Sequence, residues 1–136
     1  MLGRWRPGHA VQARQVADGG ADMRSCFKVQ VYRNQKMRDV ARFAPHCMIE
    51  APGCLGGSEG TQVGCHSNML EHGHGAGLKA HDLLAFGCQH CHDVIDGRPE
   101  GGPLLPFDER LLLFLKGVYN STLWLLTSGL MKTVVK

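Results

Sequence analysis

Two pairs of cysteines constrain the fold of this chain more than any other feature. Cys47 and Cys54 have six residues between them, whereas Cys88 and Cys91 have two. Two such pairs a few dozen residues apart are what a tetrahedral zinc site requires, because each pair lies on a turn and one ion draws the two turns together. The pattern therefore predicts a structural zinc ion bound by these four thiolates.

The first pair is spaced more widely than the two to four intervening residues that are usual for a zinc knuckle. Cys65 and His46 are therefore alternative ligands, and without that role Cys65, like Cys26, is a small buried residue or a free thiol. A thioredoxin-like redox role for the second pair is disfavoured, because no strand–helix–strand pattern surrounds it.

Length and glycine content indicate one small domain that needs a stabilising ion. The chain has 136 residues, and 12 of its 18 glycines lie between Gly53 and Gly102. A loop-rich middle of this kind buries little apolar surface by itself, so a structural metal is expected to contribute to its stability.

The charge is distributed unevenly along the chain. Residues 1–42 contain nine Lys/Arg and three Asp/Glu, which gives +6, whereas residues 43–136 contain six and nine, which gives −3. We expect residues 1–31 to form a basic, flexible arm, which suits either a polyanion partner or a solvated leader. Residues 32–136 would then form the folded domain.

The sequence shows no apolar signal-peptide core in residues 1–20 and no run approaching the roughly 20 apolar residues of a membrane helix. The leucine run that starts at Leu111 is interrupted by Lys116. We therefore expect a cytoplasmic protein without a membrane partner. In that compartment, six cysteines favour metal binding over disulfides.

Hydrophobic periodicity predicts a mixed α+β fold. Strands are expected at Thr61–His66 and Leu83–Phe86, with a weaker candidate at Phe27–Tyr32. A short helix is expected at Lys36–Phe43, with Met37, Val40, Ala41 and Phe43 on one face. A further helix should begin at His92 and end at Gly97, and a long apolar helix should span Asp108–Ser128, to pack across the domain or to form an interface.

Histidines are concentrated in the middle of the chain, where seven of the eight lie between His46 and His92. His66 follows one predicted strand and His92 begins a predicted helix, so a zinc ion that joins the two knuckles would bring them face to face. A base and a divalent metal are what phosphodiester hydrolysis requires, and histidine is the natural base near neutral pH. We interpret the remaining candidates as surface polar residues: His72, His74 and His90.

Glycine-rich residues 73–79 do not match the spacing of a P-loop, so nucleotide binding of that type is excluded. The segment is either a hairpin tip or a loop that brings backbone amides and Lys79 near a phosphate.

The order of motifs along the chain resembles the zinc-bound HNH (ββα-metal) nucleases, and most closely a phage and prophage subgroup related to the phage recombination-enhancement nuclease. The resemblance runs from about Tyr32 to the C-terminus. It is carried by these stretches: Tyr32-Arg33-Asn34, Ala44-Pro45-His46-Cys47, His66-Ser67-Asn68, Gly77-Leu78-Lys79-Ala80-His81-Asp82 and Cys88-Gln89-His90-Cys91-His92-Asp93-Val94-Ile95-Asp96.

The resemblance implies a small ββα-metal core with flanking helices, in which a two-stranded hairpin and a helix grip a divalent ion such as Mg²⁺. His66 would be the general base, and His92 would bind the catalytic ion together with Asp82 or Asp96. Asp82 occupies the place of the family's central Asn, although Asn68 is an alternative. DNA would be contacted by these basic residues: Lys79, Arg38 and Arg42.

The sequence departs from the family pattern at two positions. Cys65 stands where many HNH enzymes have a metal-binding carboxylate, and Asp82 replaces the central Asn.

The resulting functional prediction is a metal-dependent DNA endonuclease in a bacterial host cell, acting in phage or prophage DNA metabolism or recombination. A host or phage recombination protein would be a further partner. The alternative is a non-catalytic zinc module that binds DNA or a host protein.

Overall fold

The computed structural model describes residues 31–69, 74–75 and 78–135, with only the backbone for residues 74–75 and 78–79. Nearly all of the predicted basic arm, most of the Phe27–Tyr32 segment, Cys26 and His72 lie outside this part. So do the side chains of His74 and Lys79.

The observed class is α+β. The described residues form short helices, two small two-stranded sheets and one long helix. The helices are α1 (Gln35–Asp39), α2 (Gln89–Asp96), α3 (Phe107–Ser128) and α4 (Met131–Val134), with 3₁₀ turns at Val40–Phe43 and Pro99–Gly101. The strands are β1 (Val63–Cys65), β2 (His74–Gly75), β3 (Leu78–Lys79) and β4 (Ala85–Gly87).

The central sheet consists of β1 and β4, paired antiparallel with Gly64 opposite Phe86. Between them the chain forms a second, smaller hairpin from β2 and β3. Immediately after β4, Cys88 takes an extended conformation (φ −71°, ψ 164°) and acts as the N-cap of α2. The helix that was predicted to begin at His92 therefore begins at Gln89. His92 is its fourth residue and lies at the start of the second turn.

Strand β4 separates the core into two apolar clusters because alternate side chains of a strand point to opposite faces. Ala85 belongs to the cluster that contains the four paired cysteines, with Ile49 and Phe114. Phe86 belongs to the other cluster, beneath α1, where its ring meets Trp124 edge-on at 6.0 Å between centroids.

The first helical segment differs from its prediction at one end. Asn34 caps α1 by accepting a hydrogen bond from Lys36 N, and Met37, Val40 and Ala41 are buried as expected. Phe43, expected on the same face, is 57% exposed. The change from α-helix to 3₁₀ geometry at Val40 rotates later residues away from the core, because a 3₁₀ helix has three residues per turn.

Helix α3 crosses β4 and closes the core. It buries Phe114, Gly117, Ser121 and Leu125 on one face, and it exposes Leu112, Leu115, Tyr119, Leu123 and Leu126 on the other. A Cβ atom at Gly117 would lie 2.7 Å from both Ala85 Cβ and Ile49 Cγ1, so glycine allows the helix to approach the sheet closely. No helix in the described part of the chain is long and apolar enough to cross a membrane.

Candidate functional site

The four paired cysteines converge on one point. The sulfur atoms of Cys47, Cys54, Cys88 and Cys91 all lie within 4.8 Å of one another, and Cys54 Sγ lies 3.9 Å from Cys88 Sγ. A tetrahedral zinc ion with Zn–S bonds of about 2.3 Å holds its sulfurs about 3.8 Å apart. The spacing and the soft thiol donors therefore fit a metal such as zinc.

The wide first knuckle is folded tightly by its own backbone. Cys47 N donates to Gly56 O at 2.7 Å, and Cys54 N donates to Ala51 O at 2.9 Å across the Pro52–Gly53 turn. Gly56 N then points at Cys54 Sγ, 3.2 Å away. The six-residue spacer thus brings Cys54 back to the cluster, and neither Cys65 nor His46 belongs to the metal-ligand group found among the described residues.

The thiols of the cluster share protons unequally. A hydrogen bond from Cys91 lowers the pKa of Cys47 to about 4, and the same bond raises the pKa of Cys91. Burial raises the pKa of Cys54. The lowered pKa favours the thiolate form of Cys47. A bound metal would stabilise the deprotonated form of all four cysteines.

Cys65 has a different character. It is completely buried in β1, and burial raises its pKa well above the usual range of a thiol. It is therefore a neutral core side chain.

A cleft of about 450 Å³ lies beside the β1–β4 sheet and α2. Residues from the first helical segment, from β1, from the loops that flank it and from α2 contribute to its walls. The lining side chains are basic or polar in the main: Arg38, Asp39, Arg42, Gln62, Val63, Gly64, His66, Asn68, His81, Gln89, His92, Asp96 and Arg98.

The backbone carbonyl of Ala80 orients His66 in this cleft. The Nε2 atom of His66 lies 2.8 Å from the carbonyl oxygen of Ala80. A carbonyl oxygen only accepts hydrogen bonds, so Nε2 carries the proton and the neutral ring has its lone pair on Nδ1. The ring is therefore in the tautomer in which Nδ1 accepts protons.

His92 has a buried nitrogen without a hydrogen-bond partner in the described part of the chain, namely Nδ1. This atom lies 3.5 Å from Asp96 Oδ2 and 3.7 Å from Asp93 Oδ1. Two carboxylates beside an unpartnered imidazole nitrogen form a set of donors suited to a cation. Among the described residues, however, only the cysteine cluster brings three or more such ligand atoms within 4.8 Å of one another.

Asp96 is held by two further side chains. Arg98 Nη2 pairs with its Oδ2 at 2.9 Å, and the same guanidinium reaches Asp93 Oδ1 at 3.4 Å. Asn68 donates from Nδ2 to Asp96 Oδ1. Asn68 has a φ of 60°, a left-handed conformation that Asn tolerates better than most residues and that is found at functional sites.

Residues 35–123, well over half of the chain, match the family described as "Putative nuclease YbcO". The chain belongs to this family. No curated protein and no solved structure matches it significantly. Membership of this family supports nuclease activity.

The structure brings His66, His92, Asp96, Asn68 and both Arg38 and Arg42 to the cleft of this family member. Asp82 is not among the residues that line the cleft in the described part of the chain. The side chain of Lys79 lies outside that part.

His81 and Arg98 are among the polar residues of the cleft that sequence reasoning did not single out. His81 lies within a stretch quoted for the family resemblance, but nothing in its spacing distinguishes it from Asp82. Arg98 follows Gly97, the C-cap of α2. Its place in the cleft lining and its ion pairs with Asp93 and Asp96 show that it lies at the same site.

Proposed function

We propose that this protein is a metal-dependent DNA endonuclease of the HNH type that hydrolyses phosphodiester bonds. The observation that carries the proposal is that His66 and His92, far apart in sequence, line one cleft with arginines beside them. Membership of a nuclease family supports the same reaction class.

In this proposal His66 is the general base. Its Nδ1 lone pair, fixed by the Nε2 contact with Ala80 O, accepts a proton from the attacking water. The new bond joins the water oxygen to phosphorus, the bond from phosphorus to the departing sugar oxygen breaks, and that oxygen takes a proton from solvent.

His92 and Asp96 are the proposed ligands of a divalent ion such as Mg²⁺. The unpartnered His92 Nδ1 and the carboxylate of Asp96, 3.5 Å away, are near the spacing of about 3 Å between adjacent ligands of an octahedral ion. Mg²⁺ usually keeps waters and binds substrate phosphate, so two protein ligands suffice. When bound, the ion would stabilise negative charge on the phosphate.

Asn68 takes the organising role in this arrangement. Its hydrogen bond to Asp96 Oδ1 orients the carboxylate, and this contact favours Asn68 over Asp82 for the part assigned to the central Asn of the family pattern. Outer hydrogen bonds of this kind fix the direction of metal ligands and tune their affinity.

Zinc on the cysteines would have a structural role. It would join the knuckle at residues 47–54 to the N-terminal turn of α2, and His92 follows Cys91 directly. The ion would therefore fix the position of the proposed catalytic ligand without touching the substrate.

DNA would be attracted by the positive charge around the cleft. Arg38 and Arg42 both lie in the cleft lining, and guanidinium groups bind phosphate oxygens in a bidentate manner. Lys79 and the basic residues 1–31 are proposed to contribute further positive charge to DNA binding. We also propose a role in phage or prophage DNA metabolism, with a recombination protein as partner. Only the motif resemblance supports this part of the proposal.

The test is nicking of supercoiled plasmid by purified protein with and without Mg²⁺ or Mn²⁺. His66→Ala should abolish nicking while zinc content stays at the wild-type level, because the base is outside the cysteine cluster. His46→Ala is the matched control, since this histidine is exposed and outside the cleft lining. If His66→Ala nicks at the wild-type rate, the proposed base is wrong. Salt-sensitive DNA binding without any cleavage would instead favour the non-catalytic zinc module.

A further inference from the structure

We infer that His81 is a second catalytic side chain in the cleft, which donates its Nε2–H to a non-bridging oxygen of the scissile phosphate. The inference rests on the proposed nuclease function. It adds a hydrogen-bond donor to a site so far described by a base and a metal-binding pair.

His81 is held at two points by the segment that precedes α1. Its backbone N donates to Tyr32 O at 2.7 Å, and its ring Nδ1 lies 3.1 Å from the backbone N of Asn34. A backbone N–H only donates, so Nδ1 must be the acceptor. The neutral ring therefore carries its proton on Nε2.

The anchoring segment is itself fixed. Asn34 caps α1 through Oδ1, and its Nδ2 contacts both Tyr32 Oη, at 3.0 Å, and the carbonyl oxygen of Val134. The position of the His81 ring is therefore determined by helix α1 and by the C-terminal helix α4, which makes it a preorganised donor.

His81 lines the cleft and is 8% exposed. Its Nε2 is not among the fully buried side-chain nitrogens that lack a hydrogen-bond partner in the described part of the chain, whereas His92 Nδ1 is. Because Nε2 has no partner among the described residues, it is accessible. No described side chain or carbonyl accepts its proton. A proton on a fixed nitrogen at the wall of an arginine-containing cleft is suited to an anionic oxygen.

Contacts with Ala80 and with Asn34 thus set opposite tautomers in two histidines. The carbonyl of Ala80 holds the proton of His66 on Nε2 and leaves Nδ1 to accept, whereas the contact of His81 with Asn34 leaves Nε2–H to donate. Chemically, the first arrangement suits a base, and the second suits stabilisation of charge that develops on the phosphate. A protonated Nε2 also makes His81 unsuited to metal binding through that atom.

Two substitutions separate a catalytic donor from a structural contact. His81→Asn places its Oδ1 near the position of Nδ1, so it keeps an acceptor for Asn34 N but lacks a donor at the Nε2 position. His81→Gln restores an amide N–H at about that reach. Loss of one oxyanion donor typically lowers kcat by about 10²–10³.

The expected result is that His81→Asn loses about 10²–10³ in kcat, with an unchanged KM, melting temperature and zinc content. His81→Gln should recover at least tenfold of that loss. Cleavage by His81→Asn at the wild-type rate would overturn the inference. Provided that the wild-type protein cleaves and His66→Ala does not, wild-type cleavage by His81→Asn would refute only the role of His81. The proposed nuclease function would stand.

A measurement without turnover covers the case in which no cleavage is seen. In ¹⁵N-labelled His66→Ala protein, long-range ¹H–¹⁵N spectra should show His81 as the Nε2–H tautomer. Addition of a short DNA duplex should shift the Nε2 resonance more than that of Nδ1. The Nδ1–H tautomer, or a spectrum of His81 unchanged by saturating duplex, would refute the donor role whatever the activity of the wild type.

Discussion

Ser121 on α3 offers a sharp test of how the long helix is joined to the sheet. Its hydroxyl accepts a hydrogen bond from Phe86 N at 2.8 Å and donates to Gly117 O at 2.6 Å, and the residue is 1% exposed. In Ser121→Ala the backbone N–H of Phe86 loses its partner inside the core. Gly117 O is less affected, because it can still accept the ordinary helical bond from the residue 121 amide.

The magnitude follows from these contacts. A buried donor left without a partner costs about 1–3 kcal/mol, whereas the better helix propensity of Ala returns about 0.5 kcal/mol. The net loss in unfolding free energy should be about 1–2 kcal/mol. For a domain of this size that corresponds to a fall in Tm of roughly 4–8 °C.

The assay is urea unfolding in zinc-saturated buffer, followed by circular dichroism and by fluorescence of Trp124, which packs on Phe86. Thr127→Ala is the matched control. Its hydroxyl also donates to the carbonyl four residues earlier, Leu123 O at 2.9 Å, but it is exposed. The control should change stability by less than about 0.5 kcal/mol. Equal effects of the two substitutions would refute the view that Ser121 joins helix to strand.

Two further outcomes are expected. Gly117→Ala should lower Tm in thermal unfolding, because the new Cβ would lie 2.7 Å from Ala85 Cβ and Ile49 Cγ1. The clash should outweigh the higher helix propensity of Ala, which is about 1 kcal/mol more favourable than that of Gly. A rise in Tm would show that α3 can move outward. Zinc affinity, measured by chelator competition, should fall as pH decreases, because Cys54 and Cys91, with raised pKa values, must release protons to bind the metal. Cys54→Ser should weaken zinc binding at every pH. A zinc affinity independent of pH would exclude thiolate ligation.

Local patterns predicted much of the framework. The long helix was expected at Asp108–Ser128 and runs over Phe107–Ser128, because its acidic first turn and the glycine at position 129 mark its ends. The cysteine spacing predicted the cluster of four sulfurs, since a metal site demands a fixed set of donors. The helix ends depend on residues close together in the chain, and the sulfur cluster depends on the set of donors that a metal ion requires.

Other features depended on the rest of the fold. The start of α2 at Gln89 follows from the extended conformation of Cys88, and the exposure of Phe43 follows from a change of helix type at Val40. The proposed preference for Asn68 over Asp82 rests on the hydrogen bond of Asn68 to Asp96, a contact between residues 28 positions apart that no local pattern predicts.

The sequence by itself determined the chemistry that is available: four thiols for a metal, and histidines placed after a strand and within a helix. The tertiary structure decided the state of each group. It gave His66 and His81 opposite tautomers through contacts with Ala80 and Asn34, and it left the Nδ1 atom of His92 buried beside two carboxylates. The physical reason is that a proton position is set by the nearest donor or acceptor in space, and in this fold those partners lie 14 and 47 positions away in the chain.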